Sequence, residues 1–326
     1  MTNGRSRIPI ASPNMLIKGE NLVVLKRLAL MMREGAIMNA DGTPGVRLVY
    51  IDPPFSTGRV FRGERGKAAY DDTRSGDEFI EFMRGRLILL KDMMSADGSI
   101  YVHLDWKMAH YIKIIMDEVF GRENFLNEII WSYGGRGAKA LARQFSRNHD
   151  VILLYRREAH LFNRQFVKRR IPVKEARSMG LKQDSSGAWF KTAPRGDYTD
   201  KSIERLEAEE RIYRTRNGLI RIKYFFKEQD GCLLDERLVG DVWDDIPDAM
   251  HLAAMEKTGY PTQKPEALLE RIISASTNEG DMVLDAFCGS GTTLVVADRL
   301  KRRWIGIDKG RLAIETARKR LGGGVE

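Results

Sequence analysis

A short apolar run, residues 48–51, ends abruptly at Asp52, Pro53, Pro54 and Phe55. A run of this length and composition is typical of a buried parallel strand. Because proline has a fixed φ and no amide N–H, the strand must end here and the chain must turn. The sequence therefore predicts a carboxylate, unpaired carbonyls and an aromatic ring at the carboxyl end of a strand, where open α/β sheets bind ligands.

These four residues offer groups that suit a nucleobase. Asp52 and a carbonyl of the Pro-Pro turn are hydrogen-bond acceptors, and an exocyclic amino group offers two donors. Phe55 offers a face on which a flat base can stack. The same tetrapeptide also fits an ordinary loop with a capping acid, because short motifs produce false positives. The remainder of the chain is needed to choose between these interpretations.

Strands and helices alternate over most of the 326 residues. This alternation predicts the α/β class, with a doubly wound and mainly parallel sheet. Residues 56–76 are polar and rich in Gly and Arg, and they predict a loop, either over a site or merely on the surface. The predicted strands are 48–51, 99–105, 127–133, 149–155, 281–285 and 303–308, and the predicted helices are 22–33, 77–94, 107–120, 265–277, a segment ending near 301, and 312–321.

The alternating pattern weakens in the middle of the chain, and basic charge is densest there. Residues 161–230 contain 17 Lys or Arg against 10 Asp or Glu, whereas the whole chain carries a formal charge of +9. Basic residues interleaved with aromatic ones indicate a nucleic-acid partner, although a solvated basic surface would look the same. We therefore predict a smaller domain over 161–245, inserted between segments 1–160 and 246–326 of a larger one.

Composition narrows the class of protein further. No run of 18 or more apolar residues is present, so no transmembrane helix is expected, and residues 1–14 lack the apolar core of a signal peptide. The two cysteines, Cys232 and Cys288, form neither a disulfide framework nor a metal cluster, and no His/Cys spacing fits a metal. We expect a cytoplasmic enzyme without a metal.

A second constellation lies near the end of the chain. A predicted strand ends at Asp285 and is followed by a turn containing Gly289 and Gly291, then by a helix. Asp308 ends the next strand, where it could accept hydrogen bonds from ribose hydroxyls. A dinucleotide site would carry a third glycine, but Leu294 occupies that position. The pattern predicts a ribose-bearing cofactor without a pyrophosphate; glycines that serve only chain packing are the alternative.

Taken together, these segments resemble the β-group of amino-directed DNA methyltransferases, in which the Asp-Pro-Pro-aromatic motif precedes the cofactor glycine motif. The resemblance covers nearly all of the chain outside its basic middle. It implies a Rossmann-like methyltransferase core with a target-recognition insertion. The segments that carry it are 19–22 (GENL), 52–55 (DPPF), 98–103 (GSIYVH), 148–155 (NHDVILLY), 260–265 (YPTQKP), 285–291 (DAFCGSG) and Asp308.

The resemblance also assigns a cofactor, S-adenosylmethionine. Its methionine end would be held by the glycine-motif residues, its ribose by Asp308 and its adenosine near Glu20, which could instead be a turn acid. Lys264 would neutralise a carboxylate, or it could be an exposed lysine at a helix start. The glycine-motif set that the resemblance implies is Asp285, Phe287, Cys288, Gly289, Gly291 and Thr292.

The implied reaction is in-line methyl transfer to an exocyclic amino nitrogen of double-stranded DNA. Asp52 and the Pro53 carbonyl would accept both N–H bonds, and Phe55 would stack on a base extruded from the duplex. Within the family, Asp before two prolines favours adenine N6 and Ser favours cytosine N4, so we expect adenine. The resemblance also allows a homodimer and a cognate restriction endonuclease as partners.

Other functions remain compatible with parts of the sequence. An inactive nucleic-acid-binding protein could retain this core, and a basic groove also suits RNA. An oxidoreductase on a dinucleotide fold is disfavoured by the missing third glycine. We expect His103, Asp105 and His149 to be structural rather than catalytic. The sequence does not reveal the recognition site.

Overall fold

The structure is a computed structural model that describes residues 14–54, 59–62, 68–72, 76–133, 143, 145, 148–248, 251, 254 and 256–322. The chain forms two compact units. One is Phe166–Val239, which lies inside the predicted segment 161–245, and the other comprises the chain before and after it. The predicted stacking residue Phe55 lies outside the described residues.

The chain before the middle unit alternates strands with three long helices. Buried apolar positions recur along one side of each helix, as the sequence predicts. The elements are β1 (Met15–Lys18), α1 (Asn21–Arg33), β2 (Val46–Ile51), β3 (Arg59–Arg62), β4 (Ala68–Asp72), α2 (Gly76–Met93), β5 (Met94–Leu104), α3 (Ala109–Phe120), β6 (Phe125–Ser132) and β7 (His149–Arg156).

Two expectations for this part of the chain are wrong. The predicted loop 56–76 contains β3 and β4, which pair as an antiparallel hairpin. The sequence of Asp97 and Gly98, just before the predicted strand 99–105, predicts a turn, but both residues are part of β5, at a shift in its register against β2. A Cβ on Gly98 would lie 2.9 Å from the Val46 carbonyl oxygen, so this glycine permits a close approach of two strands rather than a turn.

The middle unit consists of short strands and two helices. It contains β8 (Phe166–Pro172), α4 (Val173–Ala176), β9 (Lys182–Gln183), β10 (Trp189–Pro194), α5 (Asp200–Ala208), β11 (Ile212–Arg214), β12 (Ile220–Phe225), β13 (Lys227–Gln229) and β14 (Cys232–Leu238). The strands form two antiparallel sheets. Trp189 and Phe190 are buried, whereas Tyr198 and Phe225 are exposed. The first pair is therefore part of the core of the unit, whereas the second pair presents its rings to solvent.

The final segment completes the large sheet. It contains β15 (Val242–Trp243), α6 (Glu266–Ser276), β16 (Met282–Asp285), α7 (Thr292–Arg299), β17 (Arg303–Asp308) and α8 (Arg311–Arg320). The eight strands of this sheet follow the order β1-β17-β16-β2-β5-β7-β6-β15. Neighbours are parallel except where β7 pairs with β5 and β6. The α/β class with a mainly parallel sheet is confirmed.

Strand β2 lies at the centre of the sheet, and all six of its residues are buried. Five are apolar or aromatic, but Arg47 is also only 3% exposed at its side chain. Its guanidinium lies among three carboxylates, with Nη2 2.6 Å from Asp41, Nε 3.5 Å from Asp281 and Nη1 against Asp97. A buried charge requires such partners, because removing it from water costs several kcal/mol.

The sheet order brings both predicted constellations to one edge. Strands β16 and β2 are parallel neighbours, with Leu48 opposite Val283, and β17 lies on the other side of β16. Parallel strands end at the same edge of a sheet, so Asp52, Asp285 and Asp308 lie together there. None of the helices in the described ranges is long and apolar enough to cross a membrane.

Candidate active site

A cavity of about 1,040 Å³, counting its open mouth, lies at the carboxyl ends of β2, β16 and β17. Gly291 does not line it, and Phe55 lies outside the described residues. The other predicted site residues all line this cavity, namely Glu20, Asp52, Pro53, Pro54, Lys264, Asp285, Phe287, Cys288, Gly289, Thr292 and Asp308.

Only one of the two carboxylate oxygens of Asp52 accepts a hydrogen bond from the described residues. Its Oδ2 accepts a hydrogen bond from Lys264 Nζ at 2.6 Å. Its Oδ1 is buried and has no hydrogen-bond partner among the described residues. A buried acceptor without a partner costs free energy, and such atoms in native structures call for an explanation. The geometry of Asp52 is that of an acceptor held ready for a ligand.

Asp285 is a fully buried carboxyl at the end of β16. Burial raises its pKa to about 7, although bonds from the Thr293 hydroxyl at 2.5 Å and the Phe287 amide at 2.9 Å act in the opposite direction. The charges of Asp52 and Asp308 raise the pKa further. Crowded acids therefore give this end of the cavity a negative potential, which favours a positively charged ligand.

Asp308 fixes the glycine turn to the end of β17. Its Oδ2 accepts from the Gly289 amide at 3.0 Å, and its Oδ1 accepts from the Gly310 amide at 2.7 Å. Burial raises the pKa of Asp308 even though both amide bonds lower it. Gly289 has a φ of +49° and presents its backbone to the cavity. Each oxygen retains a second lone pair for a ligand donor.

Gly291 serves packing rather than the cavity wall. It has a φ of +78°, and a Cβ at this position would lie 2.7 Å from Ala317 Cβ in α8. The next residue, Thr292, begins α7, and its hydroxyl donates to the Lys264 carbonyl oxygen at 3.2 Å. The glycine thus lets the helix start close to α8, and the threonine ties that helix to the segment carrying Lys264.

Glu20 has a structural role as well as a place at the cavity. One of its carboxylate oxygens accepts from the Val23 amide and caps α1, and the other pairs with Arg86. Arg86 also donates to Asn21 Oδ1 at 2.6 Å, and its guanidinium lies 3.4 Å from the centroid of the Phe82 ring. With its side chain 47% exposed, Glu20 remains accessible to a ligand.

Several cavity residues were not predicted as site residues. Tyr50, Phe82, Tyr260 and Thr262 all line the cavity. Tyr50 could have been found, because it precedes Asp52 by two residues and side chains two apart in a strand share a face. Phe82 lies on a distant helix and carries no local signal. Its ring centroid lies 6.0 Å from that of Phe287, and together these rings form an apolar wall.

The other acids and histidines considered in the sequence lie outside this lining. Asp105 accepts from the amides of Lys107 and Met108 at 3.0 Å and so supports the start of α3. His103 is fully buried and bonded on both ring nitrogens. Within the described ranges, no group of three or more His, Cys, Asp or Glu side chains is placed to hold a metal ion.

Comparison with known proteins places the chain in one family. Residues 46–319 match the N6_N4_Mtase family of DNA methylases. The Type II methyltransferase M.EcaI of Enterobacter cloacae is 33% identical over 95% of this chain and 69% of its own length. The probable type III HindVI Mod subunit of Haemophilus influenzae is 27% identical over 95% of the chain and 51% of its own length. The DNA adenine methyltransferase YhdJ of Escherichia coli K12 is 27% identical over 85% of the chain and 76% of its length.

Solved structures share the fold at low sequence identity. The complex of M1.HpyAVI with SAM has a TM-score of 0.53 at 17% identity, over 94% of this chain and 98% of that one. PvuII DNA methyltransferase, described as cytosine-N4-specific, has a TM-score of 0.54 at 13% identity, over 95% of this chain and 88% of that one.

Methyltransferases of this family use S-adenosylmethionine. The cavity fits that group, because its crowded acids favour a sulfonium cation and its aromatic wall offers apolar surface to a purine. Asp285 and Asp308 would hold polar groups of the cofactor, and Asp52 has an acceptor to spare. The sequence match, the fold and the cavity agree, and the chain belongs to the N6/N4 amino-methylase family of DNA methyltransferases.

Proposed function

We propose that the chain transfers a methyl group from S-adenosylmethionine to the exocyclic N6 of an adenine flipped out of double-stranded DNA. We further propose that Asp52, Pro53, Pro54 and Phe55 form the target-base site. The cofactor site comprises Glu20, Lys264, Asp285, Phe287, Cys288, Gly289, Gly291, Thr292 and Asp308, with Gly291 acting through the packing of its helix.

The observation that carries the proposal is the buried, unpartnered Oδ1 of Asp52. Lys264 occupies the other oxygen at 2.6 Å, so Asp52 has one acceptor for a donor that enters the cavity. An exocyclic amino group supplies such a donor, and the carbonyl of buried Pro53 is a second acceptor beside it. An unpartnered carboxylate oxygen is suited to a ligand that donates a hydrogen bond, and not to one that only accepts.

The chemistry asked of these residues is activation of a weak nucleophile. The lone pair of an exocyclic amine is conjugated with the ring, so the nitrogen must approach tetrahedral geometry before it attacks. Accepting both N–H bonds, by Asp52 and the Pro53 carbonyl, favours that geometry in a site shielded from water. When bound, the cofactor supplies an electrophilic methyl group. Holding the nitrogen in line with that group removes most of the entropic barrier.

Cytosine N4 is the second candidate target, because its amino group also offers two donors. One fold relative is cytosine-N4-specific and one sequence relative is an adenine methyltransferase. The aspartate at position 52 supports adenine, since the cytosine enzymes that this chain resembles tend to have serine there. A purine ring is also the larger surface for stacking on Phe55.

The middle unit, Phe166–Val239, is proposed as the target-recognition domain. Its basic residues would neutralise phosphates, and its exposed rings Tyr198 and Phe225 offer stacking surfaces. Both cysteines are free thiols, as expected in the cytoplasm, where we propose that the enzyme acts. A homodimer and a cognate restriction endonuclease are proposed as further partners.

The deciding experiment uses S-adenosylmethionine tritiated in its methyl group. The full chain is incubated with unmethylated duplex DNA, and the DNA is digested to nucleosides and separated. Label in N6-methyldeoxyadenosine is expected. Label in N4-methyldeoxycytidine would refute the adenine target while retaining the mechanism. The DNA reaction would be refuted if label appears in an RNA substrate but not in DNA, or if neither nucleic acid is labelled although the cofactor binds.

The role of Asp52 is tested by Asp52→Ala. Transfer is expected to fall by at least about 1000-fold, because the variant removes an acceptor that acts on the reacting group. The dissociation constant of the cofactor should change by less than about threefold. Asp245→Ala is the matched control, because Asp245 also pairs with a basic residue, Arg271, but does not line the cavity. An equal loss of cofactor affinity and of activity would contradict the assignment.

A further inference from the structure

A row of polar side chains, buried at Tyr50 and His103, runs from the cavity wall across three strands. The Tyr50 hydroxyl in β2 lies 2.9 Å from Nδ1 of His103 in β5. Nε2 of His103 lies 3.1 Å from Oδ2 of Asp150 in β7. Tyr50 is 2% exposed and His103 is 0% exposed, and of the three only Tyr50 lines the cavity. Nothing in the proposed chemistry above uses this row.

The register of the sheet explains why the three side chains meet. Ile51 pairs with Val102, so His103 follows opposite the end of β2, on the same face as Tyr50. His103 pairs with Ile152, and Asp150 lies two residues from Ile152 along β7, again on that face. The contacts therefore follow from strand pairing rather than from flexible loops, and the geometry of the row is rigid.

The ionisation state of Asp150 determines which atom donates in each hydrogen bond of the row. Burial alone would raise the pKa of Asp150, but hydrogen bonds from His103 and Tyr133 and the positive charge of Lys264 hold the pKa low. An ionised carboxylate only accepts, so His103 Nε2 carries a proton toward it. When the ring carries only this proton, Nδ1 is an acceptor and Tyr50 donates its hydroxyl proton to it.

Because its hydroxyl proton is donated to His103, the Tyr50 oxygen can act only as an acceptor toward the cavity. Burial raises the pKa of Tyr50 well above its usual value, and the charges of Asp52, Asp285 and Asp150 add to that effect. The hydroxyl thus stays protonated and lies within the field of both Asp52 and Asp285. Those two acids belong to the proposed base site and the proposed cofactor site, and Tyr50 lines the same cavity as both.

We propose that Asp150 and His103 orient the Tyr50 hydroxyl so that its oxygen faces the methyl-donor end of S-adenosylmethionine and selects the cationic donor over its neutral thioether product. Asp150 and His103 are positioning residues, and Tyr50 is the residue that touches the cofactor. Such a contact would retain the charged donor and release the spent product. The inference rests on use of this cofactor but not on which base is methylated.

The test compares the dissociation constants of S-adenosylmethionine and S-adenosylhomocysteine by calorimetry, using the full chain without DNA. Tyr50→Phe removes only the hydroxyl, and it is expected to reduce the preference for the cation by about tenfold. Asp150→Ala should reduce the preference in the same direction. Tyr101→Phe is the matched control, because Tyr101 is equally buried on β5 but bonds Ser276 outside the cavity.

Two results would overturn the proposal. If Tyr50→Phe weakens both ligands by the same factor or changes neither, the hydroxyl has only a structural role. Long-range ¹H–¹⁵N correlation spectra report which ring nitrogen of His103 carries the proton. The Nε2–H tautomer is expected, and an Nδ1–H or doubly protonated ring would refute the hydrogen-bond direction. Because no DNA is present, failure of the adenine assignment leaves both measurements interpretable.

Discussion

The strongest quantitative expectation concerns Asp285, whose pKa burial raises to about 7. A bound cation is expected to stabilise the ionised form, so cofactor affinity should rise with pH through this value. The ionised fraction in the free protein is about one tenth at pH 6 and about nine tenths at pH 8 for a pKa of about 7. If only the ionised form binds tightly, the apparent dissociation constant should be about tenfold higher at pH 6 than at pH 8.

Calorimetry provides two independent readouts of this linkage. The first is the tenfold change in affinity between pH 6 and pH 8. The second is proton release, measured at pH 7 in buffers of different ionisation enthalpy. About half a proton should leave per cofactor bound, because a group with a pKa near 7 is half protonated in the free protein at that pH.

Asp285→Asn supplies the control. It should bind the cofactor weakly, lose the proton release and retain only the pH dependence of the ligand's own amino group. Asp308→Asn should keep most of the wild-type pH dependence, although the pKa of Asp308 is also raised by burial. Wild-type affinity that is flat between pH 6 and 8, or a slope unchanged in Asp285→Asn, would refute the reasoning.

The raised pKa of Asp285 also determines how the stability of the cofactor-free protein depends on pH. A carboxyl with a raised pKa binds its proton more tightly in the folded chain, so stability falls as the pH rises from about 4 to about 7. With a folded pKa of about 7 against 3.8, ionising Asp285 costs about 4 kcal/mol. Asp285→Asn should therefore raise the melting temperature at pH 8 and change it little at pH 4.

Three further variants test other contacts. Lys264→Gln should reduce turnover about 10- to 100-fold by removing the bond to Asp52, and it should also weaken cofactor binding, because Lys264 belongs to the proposed cofactor site; an unchanged cofactor affinity would restrict Lys264 to the support of Asp52. Arg47→Met should cost about 3–5 kcal/mol in urea unfolding, because it leaves three carboxylates without their cation, and a loss below about 1 kcal/mol would contradict that role. Gly291→Ala should destabilise the fold by about 2 kcal/mol more than Gly187→Ala, since both have positive φ but only Gly291 lacks room for a Cβ; equal losses would show that α8 yields.

Short-range chemistry explains why the sequence alone predicted most of the proposed site residues that line the cavity. The prolines after Asp52 and the glycines after Asp285 act on their own neighbours, by fixing φ or permitting positive φ. Strand ends can therefore be recognised without knowledge of the rest of the fold. Once the sheet is parallel, these ends must lie at one edge, so the cavity containing both acids follows from the sequence.

Local patterns misled where long-range packing decides a residue's role. Gly98 resembles a turn residue, but its lack of a Cβ lets β5 pass close to the Val46 carbonyl. The aromatic residues of the basic middle segment indicate a nucleic-acid partner, but Trp189 and Phe190 among them are buried in a small sheet unit. Each of these outcomes depends on a neighbour far away in the sequence.

Only the tertiary structure joins residues whose sequence separation hides their relation. The row of Tyr50, His103 and Asp150 depends on the register of β2, β5 and β7, and on the antiparallel direction of β7. The pairing of Lys264 with Asp52 spans 212 positions. The sequence determined which groups stand at the strand ends, because backbone chemistry is local. Their hydrogen-bond partners and charges were decided by packing, because a partner is fixed only when distant segments meet.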